Sequence, residues 1–187
     1  MRVPLKEPQS YVFICGKRFR ILVAGRRFGK TFLALVELIR AAWGPGRIVW
    51  YVAPTYKQAK RIAWKLLKRL TQPHWASKPN ETDLSIELKC GGVIALRGAD
   101  NYDSLRGEGL DFIVLDEYAS MPPEAWTQVL RPSLADKQGR ALFIGTPRGL
   151  NHFYDLFQFA ESEDADAWAA FKFTTAEGGN VPLEELE

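Results

Sequence analysis

The chain has 187 residues, of which 47% are hydrophobic and 25% are charged, a composition that suits one folded domain with a substantial core. No apolar run is long enough to span a membrane, and residues 1–10 lack the apolar centre of a signal peptide, so neither a membrane protein nor a secreted one is expected. Cys15 and Cys90 have no partners at metal-ligand spacing, which predicts two free thiols of a cytosolic protein.

The net charge of +3 conceals a strong asymmetry along the chain. Residues 1–80 contain 17 Lys and Arg against 2 Asp and Glu, whereas residues 81–187 contain 8 against 20. A nucleotide needs only one or two of the cations in the first part. The remainder favours a polyanionic partner, for which nucleic acid is the natural candidate, although solvated helix faces account for some of them.

The strongest pattern is ILVAGRRFGKT, residues 21–31. A strand predicted at Phe19–Ala24 leads into a glycine-containing turn and then a helix predicted at Lys30–Trp43. Backbone N–H groups of such a turn, above a helix N-terminus, form a site for polyphosphate. The pattern G-x-x-x-x-G-K-[ST] is met except at Ala24, which is small enough for the turn; it predicts ATP binding with Lys30 on the phosphates and Thr31 on Mg²⁺. The predicted nucleotide-binding residues of the loop are Ala24, Gly25, Arg26, Arg27, Phe28, Gly29, Lys30 and Thr31.

Strands and helices alternate along the rest of the chain. The predicted strands are Arg47–Ala53, Asp111–Asp116, Arg140–Gly145 and Trp168–Phe173; the predicted helices are Tyr56–Leu70, Pro122–Leu134 and Asn151–Glu161; Leu84–Leu88 and Val93–Arg97 form a predicted β-hairpin, and Ala99–Gly109 a loop. This order indicates an α/β fold with a mostly parallel central sheet flanked by helices and a β-hairpin insertion. Ligands of such sheets bind beyond the carboxyl ends of the strands.

The predicted helix Tyr56–Leu70 has two contrasting faces. Its apolar residues, expected to pack on the sheet, are Ala59, Ile62, Ala63, Leu66 and Leu70. Its basic residues are Lys57, Lys60, Arg61, Lys65, Lys68 and Arg69. These cations are either an ordinary solvated face or a stripe that contacts DNA phosphates without reading sequence, and the residues alone do not choose between the two.

The segment FIVLDE supplies a second half for the nucleotide site. An apolar strand that ends in two carboxylates places Asp116 where it can hold Mg²⁺ opposite Thr31. Glu117 is then available to polarise the attacking water.

Several arginines are candidates for stabilising the charge that develops during phosphoryl transfer. Arg26 and Arg27 lie in the phosphate loop and can act within the chain. Arg106, in SLRGEG, can be presented to a neighbouring subunit, and Arg148, in GTPRG, is a further candidate. A loop-stabilising hydrogen bond is the alternative role for each.

Four segments together, AGRRFGKT, YVAPTYKQAK, SLRGEGLDFIVLDEYA and FIGTPRG, resemble the ATPase domain of the large terminase subunit of tailed bacteriophages. The resemblance extends from about Gln9 to about Phe173. It implies a P-loop NTPase of the additional-strand, conserved-glutamate type that pumps double-stranded DNA into a procapsid. It also implies adenine contact by Gln9, a phosphate-loop arginine at Arg26, metal binding by Asp116, catalysis by Glu117, a finger acting in trans at Arg106, and a coupling motif at Gly145-Thr146-Pro147 that senses the γ-phosphate.

The same resemblance sets expectations for domains and partners. Residues 1–175 are expected to form the ATPase domain, and residues 176–187 an acidic tail or the start of a lid. Large terminases continue into a nuclease, so no DNA cleavage is expected of this chain. The expected partners are double-stranded DNA held through its phosphates, other copies in a ring, a portal protein and a small terminase subunit, in the cytoplasm of the bacterial host.

Two other functions are compatible with parts of the sequence. A helicase-like translocase fits DEYA, but it needs a second ATPase-like domain for which no residues remain. An ATP-binding module without turnover fits a chain whose lid is incomplete.

Overall fold

A seven-stranded sheet forms the centre of the molecule, with its strands in the order β3-β4-β2-β5-β6-β1-β7. The computed structural model describes residues 4–162 and 165–179. The strands are β1 Phe19–Ala24, β2 Ile48–Ala53, β3 Ser85–Glu87, β4 Val93–Gly98, β5 Phe112–Asp116, β6 Arg140–Gly145 and β7 Trp168–Phe173. All neighbouring strands are parallel except β3, which is antiparallel to β4. The predicted strands and the mostly parallel sheet are therefore confirmed.

Helices cover both faces of this sheet. They are α1 Glu7–Ile14, α2 Lys30–Ala41, α3 Tyr56–Ala59, α4 Lys65–Thr71, α5 Arg131–Ser133 and α6 His152–Ala160. A π-helical segment, Lys60–Trp64, joins α3 to α4, and another, Ala125–Leu130, precedes α5; the 3₁₀ segments are Gln72–His74, Ala99–Leu105 and Tyr118–Ser120. The sequence analysis did not predict α1, and it treated the segment from Ala99 as loop. None of these helices, within the ranges described, is long and apolar enough to cross a bilayer.

The strand order identifies the type of α/β fold. The strand β6 lies between β1, which precedes the phosphate loop, and β5, which ends in Asp116. This extra strand between the two nucleotide-site strands is the feature that the additional-strand type requires. The predicted hairpin is present as the antiparallel pair β3–β4, and β4 also pairs in parallel with β2 from Ile48↔Val93 to Ala53↔Gly98, so the hairpin extends the central sheet.

Two hydrophobic cores lie on opposite faces of the sheet. Leu33, Leu35 and Leu38 of α2 and Leu67 of α4 are buried in the first core. The second contains the aromatic side chains of Phe19, Trp126, Phe143 and Trp168, and the centroid of each ring lies within 6 Å of two of the others. The strands β1, β2, β5 and β6 are covered by helices on both faces. Their side chains are therefore buried on both sides, which explains why their sequences are continuous apolar runs.

The buried face of the helix after β2 differs from the prediction. Ala59 and Ala63 are buried as expected, but Ile62, Leu66 and Leu70 are only half-buried. Trp64 and Leu67 take the central positions instead. The physical reason is the π-helical turn at Lys60–Trp64, whose five-residue spacing rotates the inward face and brings Trp64 into line with Ala59.

Five of the six basic residues of this helix are exposed, namely Lys57, Lys60, Arg61, Lys65 and Arg69. The sixth, Lys68, forms an ion pair with Glu81 and lies 5.3 Å from the ring of Trp64. The helix therefore presents a basic solvent face. Neither the solvated interpretation nor the DNA interpretation is tested by this geometry.

The segment after β7 turns back towards the phosphate loop. The expected boundary between residues 175 and 176 stays a prediction, and residues 180–187 of the expected tail lie outside the described ranges. Cys15 and Cys90 are free thiols, as predicted.

Candidate functional site

Three neighbouring parallel strands end at one edge of the sheet. The strand β1 leads into the phosphate loop, β5 ends at Asp116 before Glu117, and β6 leads into Thr146. Lys30 Nζ lies 3.4 Å from Thr146 Oγ1, and the charges of Glu117 and Asp116 both act on Lys30. The structure therefore brings the two distant sequence segments together at one site.

The conformation of the phosphate loop depends on its glycine. Helix α2 begins at Lys30, and its N-cap residue Gly29 has φ 93°, in the left-handed region that favours glycine. Arg27 is also left-handed, with φ 60°. Gly29 therefore permits the sharp entry into α2 that directs the first N–H groups of the helix towards the site.

Lys30 is 9% exposed, and its ammonium group contacts the loop that precedes it. Nζ donates hydrogen bonds to the carbonyl oxygens of Ala24 at 2.7 Å and Gly25 at 2.9 Å. Burial lowers the pKa of the Lys30 ammonium, whereas the nearby Glu117 and Asp116 carboxylates raise it. The side chain is thus a largely buried cation, whose attraction for a phosphate is stronger than that of a cation in bulk water.

Asp116 is 3% exposed, and Tyr51 of β2 is its hydrogen-bond donor: the Tyr51 hydroxyl donates to Asp116 Oδ2. Burial raises the pKa of Asp116 to about 6, and the hydrogen bond from Tyr51 opposes that rise. Burial raises the pKa of Tyr51 well above its usual value, and a side-chain hydrogen bond with Thr31 opposes that rise. Tyr51 therefore links the two residues predicted to hold the metal.

Sequence reasoning missed Tyr51, which was assigned only to an apolar strand. A signal was available, because a tyrosine hydroxyl that is buried usually requires a hydrogen-bond partner. The identity of that partner depends on the pairing of β2 with β5, in which Tyr51 is opposite Val114.

The donor set suits Mg²⁺ bound together with a nucleotide. No group of three or more His, Cys, Asp or Glu side chains able to hold a metal occurs within residues 4–162 and 165–179. A hydroxyl and one carboxylate are the protein ligands expected when substrate phosphates and waters complete an octahedral Mg²⁺ site. Thr31 and Asp116 fit that requirement.

Glu117 has an unusual backbone for a glutamate. Its φ of 52° and ψ of 44° lie in the left-handed region, which costs on the order of 1–3 kcal/mol for a residue other than glycine. Arg148 Nη1 donates to Ser120 Oγ at 2.6 Å, and His152 Nε2 lies 2.9 Å from the Tyr118 carbonyl oxygen. These contacts connect the segment after β6 to the turn that holds the Glu117 carboxylate at the sheet edge.

Gln9 lies beneath the phosphate loop and is 4% exposed. Its Nε2 donates to the carbonyl oxygens of Phe28 at 3.2 Å and Gly29 at 3.4 Å, and its Oε1 accepts from the Lys6 N–H at 3.0 Å. Gln9 therefore supports the loop backbone from α1, a role that the sequence analysis did not predict. Its expected contact with adenine stays a prediction.

The candidate arginines lie in different places. Arg26 and Arg27 are exposed on the phosphate loop. Arg106 forms an ion pair with Asp103 at 3.0 Å and donates to the Gln128 carbonyl oxygen at 3.1 Å. The expected role of Arg106 as a finger in trans stays a prediction.

Residues 173–179 cover the outer side of the phosphate loop, which sequence reasoning also missed. The rings of Phe28 and Phe173 stack at 5.3 Å, and the Gly25 N–H donates to the Phe173 carbonyl oxygen at 3.1 Å. A Cβ at Gly25 would overlap Thr175 Oγ1, because the two backbones approach too closely for any side chain there. Glycine at position 25 thus allows this segment to approach.

Comparisons with known proteins agree on one family. Residues 21–185 match the family described as the terminase large subunit, T4-like-virus type, N-terminal. The chain is 33% identical over 158 residues to the large terminase subunit of Thermus phage G20c, which covers 74% of this chain and 33% of that protein.

Solved structures agree with that assignment. The large terminase ATPase domain of Thermus phage P74-26 matches with a TM-score of 0.75 and 28% identity, covering 91% of this chain and 81% of that one. The large terminase of a thermophilic bacteriophage in complex with ADP matches with a TM-score of 0.79, covering 97% of this chain and 48% of that one; at 18% identity it shows the fold alone.

Proposed function

Because the chain belongs to the family of T4-like-virus-type large terminase subunits and corresponds to their N-terminal part, we propose that it hydrolyses ATP to drive double-stranded DNA into a viral procapsid. The chain spans about one third of the length of the G20c relative, so the activity of the whole protein is part of this proposal. The observation that supports it most is the meeting of Lys30, Asp116 and Thr146 at the ends of three adjacent strands.

Each residue at that edge has a chemical role in the proposal. Lys30 and the loop N–H groups bind the phosphates of ATP, while Thr31 and Asp116 hold Mg²⁺, which neutralises charge on the phosphate oxygens when bound. Glu117 polarises the attacking water. The ADP complex of the thermophilic-phage terminase supports nucleotide binding in this fold.

Coupling to movement is proposed to begin at Thr146. The Thr146 hydroxyl lies 3.4 Å from Lys30 Nζ. A γ-phosphate that attracts the Lys30 ammonium would therefore change the surroundings of the Thr146 hydroxyl. The next turn, through Arg148, is hydrogen-bonded to the segment after Glu117. The site and the turn after β6 are therefore joined by direct contacts.

The proposal includes a ring of copies on DNA. The Arg106 side chain is 52% exposed, which suits a finger presented to a neighbour. The exposed basic residues between Lys57 and Arg69 suit sequence-independent contacts with DNA phosphates. A portal protein and a small terminase subunit complete the expected motor, in the cytoplasm of the bacterial host.

Substitution of Glu117 by Gln tests the mechanism. Phosphate release would be measured with and without duplex DNA, beside binding of a fluorescent ATP analogue, with exposed Glu124 changed to Gln as the matched control. We expect Glu117→Gln to lose hydrolysis by about 100-fold or more while binding persists, because a general base contributes roughly that factor. Wild-type turnover in this variant contradicts the mechanism. Binding without phosphate release in the unmodified chain would favour a module that does not turn over.

A further inference from the structure

The turn that carries Glu117 has a backbone conformation that needs support from outside it. Glu117 is left-handed, with φ 52° and ψ 44°, and it precedes the 3₁₀ turn Tyr118–Ser120. Two backbone hydrogen bonds close this turn: the Ser120 N–H donates to the Glu117 carbonyl oxygen at 2.9 Å, and the Met121 N–H donates to the Tyr118 carbonyl oxygen at 3.0 Å. A residue other than glycine stays in the left-handed region where the surrounding structure fixes it. The neighbours of the turn therefore contribute to the position of Glu117.

His152, the first residue of α6, contacts this turn in two ways. Its Nε2 lies 2.9 Å from the Tyr118 carbonyl oxygen, and its ring packs edge-on against the Tyr118 ring with 4.9 Å between the centroids. A carbonyl oxygen only accepts hydrogen bonds, so Nε2 carries a hydrogen and donates it. The bond therefore holds the backbone immediately after Glu117.

The position of His152 is itself fixed by the end of β6. Asn151, the N-cap residue of α6, accepts from the Phe153 N–H at 2.9 Å. The Phe153 side chain is 3% exposed, and a Cβ at Gly145 would lie 2.7 Å from its ring, so α6 begins directly against the last residue of β6. The start of α6 is therefore anchored beside Thr146, which follows Gly145 in the chain.

Tyr118 is constrained from the same two elements. It is 3% exposed, and its ring packs edge-on against Phe143 at 4.9 Å and Phe153 at 5.9 Å between centroids. Phe143 belongs to β6 and Phe153 to α6. The residue after Glu117 is therefore enclosed by β6 and α6, and His152 adds a side-chain hydrogen bond to its backbone.

We propose that His152 is a positioning residue for ATP hydrolysis, because its Nε2–H bond to the Tyr118 carbonyl oxygen holds the left-handed turn from which the Glu117 carboxylate reaches the attacking water. This inference rests on the proposed function, in which Glu117 polarises that water. A displacement of about 1 Å at a reacting group costs on the order of 100-fold in rate. Phosphate binding is assigned to Lys30 and the loop N–H groups, so removal of the His152 N–H lowers kcat and leaves KM nearly unchanged.

Two substitutions at position 152 separate the N–H group from the ring. His152→Phe keeps an aromatic ring against Tyr118 and removes the donor, whereas His152→Gln keeps an N–H donor and removes the ring. His74→Phe is the matched control, because His74 also packs edge-on against an aromatic ring, that of Trp43, with 5.0 Å between the centroids. Phosphate release would give kcat and KM for ATP, a fluorescent ATP analogue would give the binding affinity, and urea unfolding would report global stability.

We expect His152→Phe to lower kcat by about tenfold or more, because a buried hydrogen bond is lost, with KM and analogue binding within about twofold of the wild type. His152→Gln should recover most of the lost rate, and His74→Phe should match the wild type. Wild-type kcat in His152→Phe overturns the proposal. An equal loss in His152→Gln also overturns it, because the effect then belongs to packing of the ring. Should His152→Phe not fold, His152→Leu takes its place, since Leu and Gln are similar in size and differ in the donor.

Hydrogen exchange without nucleotide separates this proposal from the proposed function. The Ser120 and Met121 N–H groups should exchange faster in His152→Phe than in His152→Gln or His74→Phe, because the turn opens more readily. Unchanged exchange of these groups in His152→Phe overturns the proposal whether or not the chain hydrolyses ATP. An unmodified chain that releases no phosphate, beside faster exchange in His152→Phe, contradicts the proposed function and supports the hold of His152 on the turn.

Discussion

Asp116, the proposed metal ligand, is expected to destabilise the protein when no metal is bound. The carboxylate is 3% exposed, and burial raises its pKa from 3.8 to about 6. Asp116→Asn removes the charge while keeping the size of the side chain and an oxygen that accepts from Tyr51. We therefore expect Asp116→Asn to unfold at a higher temperature than the wild type at neutral pH, in the absence of Mg²⁺ and nucleotide.

The magnitude follows from the pKa. A carboxyl whose pKa is raised by folding binds its proton more tightly in the folded state, so wild-type stability falls as pH rises from about 4 through about 6. A change from 3.8 to about 6 is equivalent to about 3 kcal/mol of unfolding free energy at pH 7 and above. For a domain of this size, that corresponds to a rise in Tm of roughly 6–12 °C in the variant.

The assay is urea unfolding of both proteins in EDTA from pH 4 to pH 8. The free-energy difference between variant and wild type should be near zero at pH 4 and reach about 3 kcal/mol above pH 7. Exposed Asp136→Asn serves as the control and should show no such pH dependence. A variant that is less stable than the wild type at pH 8, or a difference that does not change with pH, refutes the reasoning.

Three further predictions concern contacts around the site and the core. Tyr51→Phe removes the hydroxyl that links Thr31 to Asp116, so the Mg²⁺ concentration needed for half-maximal binding of a fluorescent ATP analogue should rise at least tenfold. Glu37→Gln leaves the buried guanidinium of Arg20 without its counter-charge, so chemical denaturation should show a loss of about 3–5 kcal/mol. Gly25→Ala places a Cβ against Thr175 Oγ1, so hydrogen exchange should accelerate in residues 174–179.

Each of these expectations has an outcome that contradicts it. An unchanged Mg²⁺ requirement in Tyr51→Phe removes the positioning role of the hydroxyl. A loss below about 1 kcal/mol in Glu37→Gln means that the buried pair contributes no more than an exposed one. Equal protection of residues 174–179 in Gly25→Ala means that the segment does not depend on its approach to the loop.

Much of the fold could be predicted from the sequence, because its signals are local. The turn before Lys30 and the continuous apolar runs of β1, β2, β5 and β6 each lie within about ten residues, and their alternation with helical patterns predicts a parallel sheet. The carboxyl ends of such strands share one edge of the sheet. The proximity of Lys30 to Asp116 and Thr146 could therefore be predicted from the sequence. The predicted buried face of the helix after β2 was wrong because the helical period changes there. The π-helical turn at Lys60–Trp64 turns Trp64 inward.

Only the tertiary structure determined the contacts between residues that are far apart in the chain. Tyr51 meets Asp116 across two strands, Gln9 supports a loop nineteen residues away, and Thr175 reaches Gly25 from beyond the last strand. A side chain's partner there depends on strand order and helix rotation, which no short stretch of sequence contains. The same holds for His152, an isolated histidine in the sequence, which reaches Tyr118 only because β6 pairs with β5. Motif and periodicity determined which chemistry this chain can perform, and long-range packing determined which side chains position it.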